Sequence, residues 1–298
     1  MALEAKQLCP VSGAGLRRLV RFQNGRSVFG CAGCGLRRLL PLPSPDELAA
    51  LYGREEYHSR DLAALHGDLV AGYDDRLPII KVYQEHLAAI AASRPAPARL
   101  LEIGCARGVF LDLARRAGYE TAGIEMNAAA AAYAREKFGL AVASGAFEEA
   151  GGELGSFDII AAFDVLEHAP DPALFLERLA AHLRPGGLAV IGTPDASSFL
   201  YCLAEALARW SGGSLRRPLF RFYGRGREHL TVFTPANLAR LAAGSGLAPL
   251  RHYGYGIPLR NMNDIGPLER LALGVLLRRP YEFVLLARKK LDETSAKS

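Results

Sequence analysis

A short, mostly apolar run over residues 100–103 empties into Gly104-Cys105-Ala106-Arg107-Gly108, and a helix-patterned stretch starts at Val109. A buried strand that turns on glycines into a helix is the opening unit of an α/β sheet, whose ligands bind beyond the carboxyl ends of the strands. The alternation continues downstream. A second strand ends at Gly123-Ile124-Glu125, and Asn127 caps a helix that Gly139 stops. Residues 141–143 and 157–163 read as the third and fourth strands. Asp171-Pro172 supplies an N-cap and a first helical residue, and Pro185-Gly186-Gly187 is expected to stop that helix before a fifth strand over 188–191. Thr234-Pro235 opens one more helix, which ends near Gly244 to Gly246. Two strands close the series, at about 249–255 and 282–287. Repeated strand–helix units predict an α/β fold with a doubly wound, mostly parallel sheet and helices on both faces.

The glycine spacing narrows the ligand. A dinucleotide-binding turn wants Gly-x-Gly-x-x-Gly, but Val109 holds the place of the third glycine. The pattern present is Glu102-x-Gly104-x-Ala106-x-Gly108, with Glu125 closing the second strand. It resembles the first motif of class I methyltransferases dependent on S-adenosylmethionine (SAM), with Ala106 in place of the commoner glycine. Phe157-Asp158-Ile159-Ile160 followed by Asp164-Val165-Leu166-Glu167-His168 resembles the strand-four motif of that superfamily. Leu183-Arg184-Pro185-Gly186-Gly187 resembles its turn before strand five. The motifs stand in the family's order over roughly residues 98–290. The resemblance implies a Rossmann-like, seven-stranded sheet and SAM as cofactor. It implies that Glu102 lies near the methionine amino group, that Gly104, Cys105, Ala106 and Gly108 pass along the cofactor, and that Glu125 accepts from both ribose hydroxyls. Met126 then packs on the adenine, Ala146 and Phe147 lie at its edge, and Asp164 completes the cofactor set.

Methyl transfer from a sulfonium is an in-line displacement, in which the protein mainly aligns the acceptor and excludes water. An oxygen acceptor also calls for a base, and histidine titrates near neutrality. His168, after strand four, and His229, before the Thr234 helix, are the candidates; loop histidines that hold a turn are the competing reading. Glu167 is placed to orient a histidine or to help hold a metal. Relatives that methylate nitrogen often carry Asp/Asn-Pro-Pro-aromatic after strand four, and Asp164-Val165-Leu166-Glu167 stands there instead. The expectation is therefore transfer to oxygen or carbon. The stretch of about 195–230 is long for a connection and is expected to cover the acceptor. It carries Arg216, Arg217, Arg221, Arg225 and Arg227 among aromatic residues, which suits an anionic acceptor or merely a solvated surface.

Residues 1–45 look separate from the rest. Cys31-Ala32-Gly33-Cys34 resembles one knuckle of a zinc ribbon, but its counterpart reads Cys9-Pro10-Val11-Ser12. Serine is a poor zinc ligand, so Cys9, Cys31 and Cys34 are expected to form a degenerate, metal-free remnant; a zinc held by three thiolates with water or His58 is the alternative. This head resembles those of bacterial methyltransferases of sugars, secondary metabolites and ubiquinone-type substrates. Residues 46–97 read as a helical linker or lid, and 98–298 as the SAM-binding domain. A net charge of +5 is modest, which counts against nucleic acid as the partner. No run approaches the roughly 20 apolar residues that span a bilayer, and the first ten residues lack a signal-peptide core, so a cytoplasmic protein is expected. The acceptor implied is a small molecule or glycan precursor. An RNA methyltransferase with a ribbon head and a non-catalytic SAM-binding partner protein are the rival readings. A peripheral membrane enzyme is a further one, from the apolar run over 268–277 beside Arg278 and Arg279.

Overall fold

The computed structural model describes residues 8–22, 25–44, 47, 78–150, 154–212, 214, 223, 229–256 and 280–291. Its larger sheet has seven strands: β4 (Arg99–Ile103), β5 (Glu120–Glu125), β6 (Val142–Ser144), β7 (Phe157–Phe163), β8 (Leu183–Pro194), β10 (Leu247–Tyr255) and β11 (Glu282–Lys289). Their spatial order is β6-β5-β4-β7-β8-β11-β10. β4 to β8 run parallel, and β11 runs antiparallel to both of its neighbours. The chain builds outward from β4 on one side, then crosses back to β7 on the other. The switch point therefore lies between β4 and β7, and the turns after these two strands open onto one crevice.

Two layers of helix cover this sheet, as the apolar alternation requires. Leu100, Ile159, Leu188 and Val190 face α1 (Pro78–Ser93), α2 (Val109–Arg116) and α3 (Ala128–Phe138). Leu101, Ile160, Ala189 and Ile191 face α4 (Pro172–His182) and α6 (Pro235–Gly244). Each fully buried Leu or Ile contributes about 1.5–3 kcal/mol, so a one-residue slip in any central strand would be costly. The expected caps are present. Asn127 accepts from Ala130 N, and Asp171 accepts from Ala173 N and Leu174 N. Thr234 forms a reciprocal capping box with Asn237.

One boundary differs. Pro185-Gly186-Gly187 does not terminate α4; it lies inside β8, and α4 already ends at His182. The residue before a proline disfavours the helical region, so Pro185 acts through Arg184 and the helix stops earlier. Of the expected helical stretch 46–97, α1 is described, and the segment 48–77 lies outside the described residues, as does His58.

The head forms a second, antiparallel sheet in the order β1-β2-β3-β9. Its strands are β1 (Leu16–Arg21), β2 (Ser27–Cys31), β3 (Arg37–Leu40) and β9 (Thr231–Val232). Three strands of four to six residues cannot bury both faces alone. The later chain supplies the fourth strand and also α5 (Phe199–Trp210), whose Tyr201, Ala204 and Ala208 pack on Val20, Val28 and Leu39. On the opposite face Cys9, Cys31 and Leu36 join the core beneath α4 and α6. Among the described residues no helix is long and apolar enough to cross a membrane.

Candidate active site

The turn after β4 is shaped by close approach. Gly104 has φ +70°, and a Cβ there would stand 2.5 Å from Val165 Cγ2 in the turn after β7. Gly108 has φ +78°, and a Cβ would meet Leu140 and Ala134 at 2.7 and 2.9 Å. Between them Ala106 adopts φ 47°, a left-handed conformation that costs a non-glycine residue about 1–2 kcal/mol. Glu125 holds it there: its Oε2 accepts from Ala106 N and its Oε1 from Asn127 N, both at 2.8 Å. Each carboxylate oxygen retains a further lone pair for a ribose hydroxyl. Met126, next along, is 45% exposed.

Glu102 is the most informative group. It is buried, and its Oε2 has no hydrogen-bond partner among the described residues. Burial, and then the charge of Glu125, raise it well above the usual carboxylate range. A buried acceptor without a donor is destabilising unless a ligand completes it. An ammonium does so, which is the fit expected for the methionine end of SAM. The Cys105 thiol is also buried and pushed up by its burial and then by the same carboxylates.

Across the crevice, the turn after β7 begins at Asp164, a second non-glycine residue with positive φ (55°). A short 3-10 turn over Leu166–His168 follows. Glu167 is fully buried there; its Oε2 accepts from the Thr193 hydroxyl at 3.0 Å, and its Oε1 lies 3.9 Å from His229 Nε2. The His168 and His229 rings meet edge to face at 4.9 Å, and ligand atoms of Glu167, His168 and His229 all fall within 4.8 Å of one another. Leu230 N donates to the Glu167 carbonyl at 2.7 Å, which ties β9 to the turn. Burial, and then the charge of Asp164, raise Glu167 well above its ordinary value.

A family model described as a methyltransferase domain matches residues 74–252, well over half of the chain. The chain belongs to that family. The methyltransferase is 28% identical over 179 residues to the ubiquinone biosynthesis O-methyltransferase of Aeromonas salmonicida, covering 56% of this chain and 71% of that one. Its counterpart in Ralstonia nicotianae is 28% identical over 187 residues, covering 59% and 74%. Two solved structures share the fold. One is the 1,6-didemethyltoxoflavin-N1-methyltransferase of Burkholderia thailandensis with S-adenosylhomocysteine (TM-score 0.54, 19% identity, 93% of this chain and 100% of that one). The other is the magnesium protoporphyrin IX methyltransferase of Synechocystis (TM-score 0.55, 15% identity, 80% and 98%). This chain is a SAM-dependent methyltransferase with a Rossmann-like fold.

Glu102, the 104–108 turn, Glu125, Met126 and Asp164 lie at or just beyond the carboxyl ends of β4, β5 and β7. The Phe147 ring is buried against Phe175 and His182, at 5.3 and 5.9 Å. Thr193 carries no motif and went unrecognised in the sequence; its position two residues after Ile191, at the end of β8, was the available signal. A wall of Tyr83, His86, Phe163 and Tyr255 was equally hidden. His86 stacks on Phe163 and meets Tyr255 edge-on, each at 4.7 Å, and burial pulls it down to about 4, which keeps it neutral. The arginines at 216, 217, 221, 225 and 227 and the apolar run at 268–277 lie outside the described residues.

In the head, the sulfurs of Cys9, Cys31 and Cys34 lie within 4.8 Å of one another. The fourth corner holds the Ser12 hydroxyl, 3.2 Å from Cys31 Sγ, while Cys9 and Cys34 approach at 3.5 Å. Burial alone would raise the Cys31 thiol, but the Ser12 hydroxyl and neighbouring backbone N–H groups bring it down to about 7; burial pushes Cys34 up to about 12. A neutral hydroxyl at that corner fits zinc poorly.

Proposed function

We propose that this methyltransferase transfers a methyl group to an oxygen, or a carbon, of a small-molecule or glycan-precursor acceptor that carries negative charge. The convergence of Glu167, His168 and His229 beside the cofactor crevice carries this reading. When bound, SAM supplies an electrophilic methyl and its own leaving group. Glu102 would hold the methionine ammonium, the 104–108 turn would pass along the cofactor, and Glu125 would accept from the ribose. His229 takes the acceptor's hydroxyl proton, and Glu167, held by the Thr193 hydroxyl, lies 3.9 Å from His229 Nε2, beside the charge that forms on the ring. His168 packs the His229 ring in place. Tyr83 and Tyr255 form an aromatic wall for a flat or ring-shaped acceptor and keep water out. The named activity of the Aeromonas and Ralstonia relatives, O-methylation in ubiquinone biosynthesis, favours oxygen. The head serves as a metal-free scaffold; one equivalent of zinc in protein purified without chelator would refute that part.

The test is a labelling experiment. The protein is incubated with methyl-labelled SAM and an extract of cells lacking it, and small molecules, lipids, glycans, RNA and protein are separated. Label is expected in the small-molecule or glycan fraction. His229→Ala should lower kcat by about 10²–10⁴-fold with SAM affinity unchanged. Label in RNA, or an unchanged kcat in the variant, would sink the proposal.

A further inference from the structure

We propose that the cleft between the head sheet and α5 binds a diphosphate group, the anionic end of the acceptor. The proposal rests on the functional reading only in calling that ligand the acceptor. The cleft has a volume of about 540 Å³ and is lined by Arg17, Arg18, Arg37 and Arg209, with Gly30 and Gly35 among them. None of these arginines belongs to the segment at 216–227 that the sequence singled out.

Three features of local structure assemble it. The register pairs Arg17 with Gly30 and Gly30 with Arg37, so one row of the sheet carries an arginine on each side of a residue without a side chain. A Cβ at Gly30 would stand 2.6 Å from Leu19 Cδ1 and 3.5 Å from Arg37 Nη1, so a larger residue there would displace the Leu19 side chain and crowd Arg37. β1 then bulges between Arg18 and Val20. Arg17 and Arg18 precede the bulge on successive ladder positions, opposite Gly30 and Phe29, and both residues border the cleft from the edge strand of the head sheet. Finally, Arg37 is held in place: it donates to Glu205 from Nε at 2.6 Å and from Nη2 at 3.2 Å. Glu205 is itself buried, and also takes Arg209 at 3.5 Å.

The charge does not balance. Among the described residues, Glu205 is the one carboxylate paired with any of the four arginines. Arg17 and Arg18 are exposed on β1. A concave site lined by one sign of charge concentrates counter-ions, and guanidinium forks match phosphate oxygens two at a time. A single carboxylate would leave most of this charge uncompensated, whereas a diphosphate would not. The position is also functional. Arg37 pairs with Val232 on β9, and Leu230, just before that strand, donates to the Glu167 carbonyl. One short segment thus joins the cleft to the proposed base.

The experiment is calorimetric titration of inorganic pyrophosphate into the full chain, for the wild type and the Arg17→Ala/Arg18→Ala double variant. Both side chains are exposed, and S-adenosylhomocysteine affinity monitors folding. Pyrophosphate is expected to bind the wild type one to one and more tightly than orthophosphate, and the double variant to bind it about 10- to 100-fold more weakly with S-adenosylhomocysteine affinity unchanged. No pyrophosphate binding, or equal binding by both proteins, overturns the proposal. So does arginine-dependent binding of an RNA oligomer in its absence. Uridine diphosphate and phosphatidic acid vesicles then separate the sources: binding of the first marks a soluble diphosphate, flotation with the second a lipid headgroup. Pyrophosphate binding without methyl label in any acceptor fraction would leave the site standing and defeat the functional reading; label without pyrophosphate binding would do the reverse.

Discussion

The two edges of the central sheet treat carboxylates in opposite ways. At the amino edge Asp158 accepts from Arg99 N at 3.0 Å, from Arg94 at 2.6 Å and from Arg184 at 2.7 Å. Burial alone would raise it, but those donors hold it below the usual carboxylate range. At the carboxyl edge Glu102 and Glu167 are each buried with one oxygen lacking a donor, and both are raised. Positive φ at Ala106 and Asp164 falls on the same edge. A saturated carboxylate stabilises the fold; a buried one left short of donors is tolerated where a ligand or a proton completes it. The difference separates a structural end of the sheet from a working one.

The sharpest way to break this comparison is Glu102→Gln. SAM and S-adenosylhomocysteine affinity should fall by about 30- to 100-fold, because a charged hydrogen bond in a buried site is lost, while the unliganded protein should gain thermal stability at neutral pH. Equal affinity, measured by calorimetry, would remove Glu102 from the cofactor site. Asp158→Asn should do the opposite: it should lower stability by about 1–3 kcal/mol in denaturant melts, with the arginines' exposure limiting the loss, and leave cofactor affinity alone. The two carboxylates should also differ in the sign of their pH response. Glu102 is raised, so its neutral form contributes stability below the unfolded pKa, and this is lost as pH rises through its folded value. Binding a cationic ammonium must ionise it, so cofactor binding should release a proton and tighten with rising pH; proton uptake in buffers of different ionisation enthalpy would contradict this. Asp158 is depressed, so its contribution is present above about pH 3.9 and lost as pH falls through its folded value, and Asp158→Asn should flatten that acid loss. The smallest effect belongs to Thr234→Ala. It removes the α6 capping box, and through Asn237, which donates to the Cys34 carbonyl at 3.2 Å, loosens the head. A loss of about 1 kcal/mol is expected; none would mean that the head and α6 are held by packing alone.

Much of the fold was legible in the chain because its cues are local. Glycines at 104 and 108, caps at Asn127, Asp171 and Thr234, and apolar alternation in the strands act over a few residues, and each appears where the pattern places it. The cofactor crevice was legible for the same reason: its glycines and acids lie at the ends of consecutive strands. Pro185 misleads because a proline disfavours helix at its predecessor without marking where the helix ends, which here is His182.

The sequence by itself indicated the strand–helix order of the large sheet, the family and the cofactor, since these follow from short-range spacing and period. The tertiary structure decided what distant residues do together. The meeting of Glu167 with His229, the support of Thr193, the completion of the head by β9 and α5, and the arginine cleft all join residues far apart in the chain. No local pattern encodes such pairs, because what brings them together is the burial of sheet and helix faces rather than any property of the residues between them.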